Sequence, residues 1–190
     1  MNIISALFGS EARVKMLRLF LFNPESVFAS ADISKRTQCS SAAVRKEIAA
    51  LIRAGVIKKG KSGAGYMLES RFPYLESLKN LLTVASVSAD QTLVKRFAKA
   101  GKIKVLMAAG VFIQNWDSRV DLLIVGDDLS QARIEAAIRD IEAEIGKEIA
   151  YSLFETQDFE YRLGMHDRLI RDIIDYPHVT LIDRLGVVPE

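Results

Sequence analysis

Thr37-Gln38-Cys39-Ser40-Ser41-Ala42-Ala43-Val44-Arg45-Lys46-Glu47-Ile48-Ala49-Ala50-Leu51-Ile52-Arg53-Ala54-Gly55 is the stretch on which the fold turns. Val44, Ile48, Leu51 and Ile52 fall at i, i+4, i+7 and i+8, the spacing of one buried helical stripe. Ser40 is placed to cap the first free amides of a helix over 41–54, and Gly55 to stop it. Upstream, Ser30 is placed to cap a short helix through Arg36, and Thr37-Gln38-Cys39-Ser40 reads as the polar turn between the two. Downstream, Val56-Ile57-Lys58-Lys59 reads as a strand. Gly60-Lys61-Ser62-Gly63-Ala64-Gly65 reads as a hairpin tip, and Tyr66-Met67-Leu68 as the return strand.

The ordered series of helix, tight turn, amphipathic helix, glycine stop, basic strand and glycine-rich tip is that of a winged helix-turn-helix. The second helix of such a motif presents its N-terminal end to base edges and phosphates. Here that end carries Ser40, Ser41, Arg45 and Lys46, and the hairpin carries Lys58, Lys59 and Lys61. These seven residues are the candidate contacts to double-stranded DNA.

Charge is divided along the chain in the same sense. Residues 1–82 hold 13 Lys and Arg against 6 Asp and Glu, a balance of +7. The remainder holds 13 against 18, a balance of −5. A polyanion is therefore expected to dock on the first half alone. Hydrophobic residues at 49% and charged residues at 26% suit a globular chain with a sizeable core. No apolar run reaches membrane-spanning length, Met1 to Ser5 shows no secretory pattern, and Cys39 is a lone cysteine. These features predict a cytoplasmic protein without a disulfide and without a membrane partner.

Around the central motif, the spacing predicts a helix from Ser10 to before Asn23-Pro24, with Val14, Leu17, Phe20 and Leu21 inward. A further helix over 73–82 places Leu75, Leu78, Leu81 and Leu82 on one side. The apolar segment Met1 to Phe8 and this leucine helix are the candidate surfaces of a homodimer. Thr83 to Ser88 reads as a junction, and Ser88 as the cap of a helix over 89–100. Strands and helices then alternate. Ile103–Ala108, Val120–Val125, Ile149–Phe154 and Val179–Ile182 read as strands. Helices are expected from Ser130 to Gly146, from a Thr156 cap toward Leu163, and from Asp167 to Asp175. The fold class expected is thus two-domain α/β. A winged helix-turn-helix over residues 1–86 precedes a small α/β domain with a mixed sheet over 87–190.

Asp117-Ser118-Arg119-Val120-Asp121-Leu122-Leu123-Ile124-Val125-Gly126 resembles the catalytic strand of minimal nucleotidyltransferases of the DNA polymerase beta-like superfamily, a likeness covering about residues 90–183. In active members a Gly-Ser pair after the first strand holds nucleotide phosphates. An Asp-x-Asp pair and a third carboxylate then bind two magnesium ions. This chain has Val111 after Gly110, Arg119 at the first aspartate, Asp121 at the second, and Ala150 at the third carboxylate. What the resemblance implies is a degenerate domain with no catalytic residue, no metal and no cofactor. Gly110, Arg119 and Asp121 would remain as a vestigial nucleotide site, and the domain would serve dimerisation, a nucleotide or a protein partner. The alternative is an active nucleotidyltransferase, or a toxin–antitoxin-type modifier, targeted by a winged helix. Leu7-Phe8-Gly9-Ser10-Glu11-Ala12-Arg13 mimics the Gly-Ser signature, but no strand precedes it, and Gly9-Ser10 reads as a helix cap.

His166 and His178 have no partner at metal-ligand spacing. Arg162, Arg168 and Arg171 could bind an anion, but Glu160, Asp167 and Asp172 beside them make solvated ion pairs the default expectation. Trp116 could stack on a base, but packing against a helix is the expected fate.

Overall fold

A computed structural model describes residues 3–60, 63, 65–84, 91–115 and 118–188. The chain mixes helix with a small amount of sheet, and it divides into two compact units. The first comprises residues 1–86 with 139–148, and the second 87–138 with 149–190.

The first unit is built around α2 (Glu11–Phe22), which packs against α1 (Ile3–Phe8), α3 (Ser30–Thr37), α4 (Ser41–Arg53) and α5 (Leu75–Val84). Partners on so many sides explain why α2 is buried well beyond one stripe. Met16 and Leu19 join Val14, Leu17, Phe20 and Leu21 in the core, and Arg18 is buried too. Arg18 donates Nη1 to the Glu144 carbonyl at 2.9 Å. Burial pulls its pKa below the usual arginine range, against the raising influence of Glu144. Strands β1 (Ile57–Lys59) and β2 (Tyr66–Leu68) pair antiparallel, with Ile57 opposite Leu68 and Lys59 opposite Tyr66. Phe28 exchanges both backbone hydrogen bonds with Tyr66 at 2.9 Å and sets its ring edge-on to Phe20, 5.7 Å between centroids.

The second unit is a four-stranded mixed sheet in the order β5-β4-β3-β6. β3 (Lys102–Ala108) pairs antiparallel with β4 (Leu122–Asp127) and with β6 (Val179–Asp183), while β4 pairs parallel with β5 (Tyr151–Glu155). The parallel step is spanned by α7 (Gln131–Ile145), whose first half lies in this unit. Val105, Met107, Leu123 and Val125 cluster with Phe159 of α8 (Thr156–Gly164) and with Ile170 and Ile173 of α9 (Arg168–Ile174). Leu106, Leu122 and Ile124, which point the other way, are fully buried as well. Both faces of β3 and β4 are thus covered, as their unbroken apolar run demands. The short helix α6 (Gln91–Phe97) buries Leu93 and Phe97.

Several local expectations are corrected. The cap of α3 is Ala29 rather than Ser30, and the Asp32 carboxylate reaches back to accept from the Ala29 amide at 3.3 Å. Glu155, not Thr156, precedes α8 at the cap position, and Thr156 begins the helix. Ile52 and Leu81 are exposed, at 39% and 42%. Each sits at the margin of its helical stripe, where a neighbouring element is needed for burial. The expected cap at Ser88, most of the junction before it, and Trp116 lie outside the described residues.

Candidate nucleic-acid interface

The turn between α3 and α4 is tied by its own side chains. Thr37 donates Oγ1 to the Ile33 carbonyl at 2.6 Å, and Ser34 donates Oγ to the Cys39 carbonyl at 2.6 Å. Gln38 takes a left-handed φ of 53°, which reverses the chain in one residue. Cys39, a half-buried free thiol, donates to the Thr37 carbonyl at 3.4 Å. Ser40 then caps α4, accepting from the Ala43 amide at 3.3 Å. The hydroxyl thereby satisfies a free amide of the first turn.

Ser41 and Arg45 lie four residues apart on one exposed face of α4, with Lys46 beside them. Among the described residues, the side chains of Arg45 and Lys46 make no hydrogen bond or ion pair. The opposite stripe of α4 is anchored by Val44, Ile48 and Leu51. Glu47, 3% exposed, accepts from Arg13 Nε at 2.7 Å, and Arg13 also donates Nη1 to the Phe8 carbonyl at 2.9 Å. This bridge ties α4 to α2 and occupies one of the thirteen cations of the first half. Glu47 follows Lys46 in a charged run, yet it stands three residues after Val44 and four before Leu51, on the buried stripe; the partner that neutralises it, 34 positions away, is what the sequence does not show.

The hairpin separates its lysines. Lys58 is half-buried and holds Glu69 at 3.0 Å. The Glu69 carboxyl is kept below its usual range, first by that lysine's hydrogen bond and then by the Arg71 amide. Lys59 points the other way, exposed and without a partner among the described residues. Lys61 lies outside the described residues. On the hairpin, Lys59 is thus exposed while Lys58 is engaged within the chain.

In the second unit, Asp121 is 7% exposed. Its Oδ1 accepts from the Val111 amide at 2.8 Å and its Oδ2 from the Ala150 amide at 2.9 Å. Gly110 has φ of +50°, and a Cβ there would sit 1.9 Å from Asp121 Oδ1. The pair Gly110 and Asp121 thus forms a closed backbone clamp joining the end of β3 to the start of β5. Arg119 stands apart from it, 70% exposed and 3.4 Å from the Asp172 carboxylate.

Comparison with family models, curated proteins and solved structures finds no match to this chain.

The three residues that the sequence groups as one vestigial site are therefore two arrangements. Asp121 and Gly110 serve the backbone, and Arg119 faces solvent beside α9. Among the described residues no cluster of three or more histidine, cysteine, aspartate or glutamate side chains could hold a metal ion. Likewise, no described helix is long and apolar enough to cross a membrane.

Proposed function

We propose that this protein is a sequence-specific DNA-binding transcriptional regulator acting as a homodimer on double-stranded DNA in the cytoplasm. The first unit is read as a winged helix-turn-helix. α4 would be the recognition helix, with Ser41, Arg45 and Lys46 addressing the major groove and Ser40 shaping its first turn. The hairpin would be the wing, with Lys59 and Lys61 toward phosphates. The observation that carries the reading is the unpaired Arg45–Lys46 face at the N-terminal end of a helix whose other face is locked into the core. The basic balance of the first half supports it.

The second unit is read as a nucleotidyltransferase-like module that performs no transfer and serves dimerisation, a ligand or a partner. Support comes from Asp121, the one retained carboxylate, whose two oxygens are both taken by backbone amides. A pair of magnesium ions needs several free carboxylates to offset their mutual repulsion.

Selection of bound fragments from random duplex DNA by the purified chain, followed by anisotropy titration of the enriched sequence, tests the first reading. Arg45→Ala or Lys46→Ala should weaken the selected site by about 1–3 kcal/mol where the side chain reads a base. A monomeric chain that enriches no sequence would overturn it. Label transferred from a nucleoside triphosphate with magnesium or manganese, and lost in Asp121→Ala, would overturn the second.

A further inference from the structure

We propose that a cleft in the second unit, bounded by the connection between β3 and β4 and by α9, binds a small organic phosphate without a metal ion. The cleft measures about 320 Å³ and is lined by Ser118, Arg119, Val120, Arg168, Asp172 and Tyr176, among others. That size is at the low end of small-molecule sites and too small for a folded partner. The proposed site rests on the reading of the second unit as a ligand-binding module and lies wholly in that unit, so it stands or falls separately from DNA binding by the first.

The charge of the cleft runs against that of its surroundings. The half of the chain that contains it carries a balance of −5, yet among the described residues two guanidinium groups and one carboxylate line the cleft. Arg168 is exposed, and its side chain makes no hydrogen bond or ion pair among the described residues. Arg119 contacts Asp172 at 3.4 Å, with 70% of its side chain still in solvent. Such a long, solvated contact is readily exchanged for a better acceptor. A phosphate monoester near neutral pH carries close to two negative charges and three acceptor oxygens, enough to engage both planar forks at once. A carboxylate ligand would merely repeat what Asp172 already offers.

The floor and rim suit an organic group attached to that phosphate. Val120 and Ile173 are buried apolar lining, and Tyr176, 63% exposed, presents a flat ring at the edge. Asp121 is not available to the ligand, because both of its oxygens are held by the Val111 and Ala150 amides. Recognition would therefore rest on the two arginines directly, with no bridging cation.

Calorimetric titration of the full chain with adenosine monophosphate, in chelator, is the test, with inorganic phosphate and adenosine as the separate halves of the probe. Saturable binding of the monophosphate is expected, tighter than that of either half. Arg119→Ala and Arg168→Ala should each weaken it by about tenfold or more, the size of a lost charge-assisted contact. Asp172→Asn should tighten it by removing the internal competitor, a change that a purely structural role for Asp172 would not produce. Both arginines are exposed, and Arg168→Lys supplies a second variant that keeps the charge and loses only the fork. The proposal is overturned by absence of saturable monophosphate binding at millimolar concentration. It is also overturned by binding that both alanine variants leave unchanged, by an absolute need for magnesium, or by adenosine binding equally well.

Discussion

Asp121→Ala separates a structural carboxylate from a remnant of metal chemistry. In the structure it removes the acceptor of the Val111 amide, which is fully buried, and of the Ala150 amide, which is partly buried. A buried donor left without a partner costs about 1–3 kcal/mol, with the fully buried amide toward the upper part of that range. Together the two give an expected loss of about 2–5 kcal/mol, a large share of the roughly 5–15 kcal/mol by which a domain is stable. Were Asp121 an idle metal ligand, its removal would change stability by no more than about 0.5 kcal/mol. Urea unfolding followed by circular dichroism and by the fluorescence of Trp116, the single tryptophan, measures the difference. Gly110→Ala strengthens the test. Its Cβ would meet Asp121 Oδ1 at 1.9 Å on a backbone of φ +50°, so the substitution should be severe alone and partly relieved in the Asp121→Ala background. A midpoint for Asp121→Ala indistinguishable from that of the parent would refute the clamp.

Three further outcomes are expected. Arg13→Ala should destabilise more than Glu47→Ala, about 2–4 against about 1–2 kcal/mol, because the first strands a carboxylate that is 3% exposed while the second leaves a guanidinium still reaching solvent; equal effects in denaturant titration would contradict the burial of Glu47. Lys59→Ala should lower the dependence of log affinity on log salt by about one phosphate's worth, roughly 0.9, whereas Lys58→Ala should change it less because Glu69 already holds that ammonium; anisotropy titrations at several salt concentrations distinguish the two. Burial works against ionisation of Asp183, yet the backbone amides of Val188, Leu185, Val187 and Gly186 outweigh it and hold its carboxyl below the usual range. Its contribution to stability should then be complete above the unfolded carboxylate pKa of about 3.9 and lost as pH falls through the lower folded value, so Asp183→Asn should flatten the acid limb of a stability-versus-pH profile; an unchanged limb would count against the amide turn.

Periodicity made most elements legible. The stripe Val44, Ile48 and Leu51 marks α4, and Ile134, Ala137, Ile138, Ile141 and Ile145 of α7 are all buried. The continuous apolar run at Leu122–Val125 belongs to an inner strand covered on both faces. Stops and caps that depend on one local residue were equally readable: Ser10 accepts from the Arg13 amide at 3.2 Å, Asp167 caps α9, and Gly55 has φ of +74° past α4. Where two local partners compete, the sequence was ambiguous. Ser30 and Thr156 are good cap residues by type, but the chain enters each helix one residue earlier.

What tertiary structure alone decided is which charged and polar groups are already spoken for. Lys58 and Lys59 are neighbours of the same type, yet the alternation of a strand turns one toward Glu69 and leaves the other to solvent. Asp121 and Arg119 are two residues apart, yet one is enclosed by amides at positions 111 and 150 and the other faces Asp172 across a cleft. The physical reason is common to both. Burying an apolar face is favourable wherever the pattern places it, so repetition along the chain reveals it. A hydrogen bond or ion pair needs a specific partner at about 3 Å, and that partner arrives through chain closure from dozens of residues away, leaving no periodic mark in the sequence.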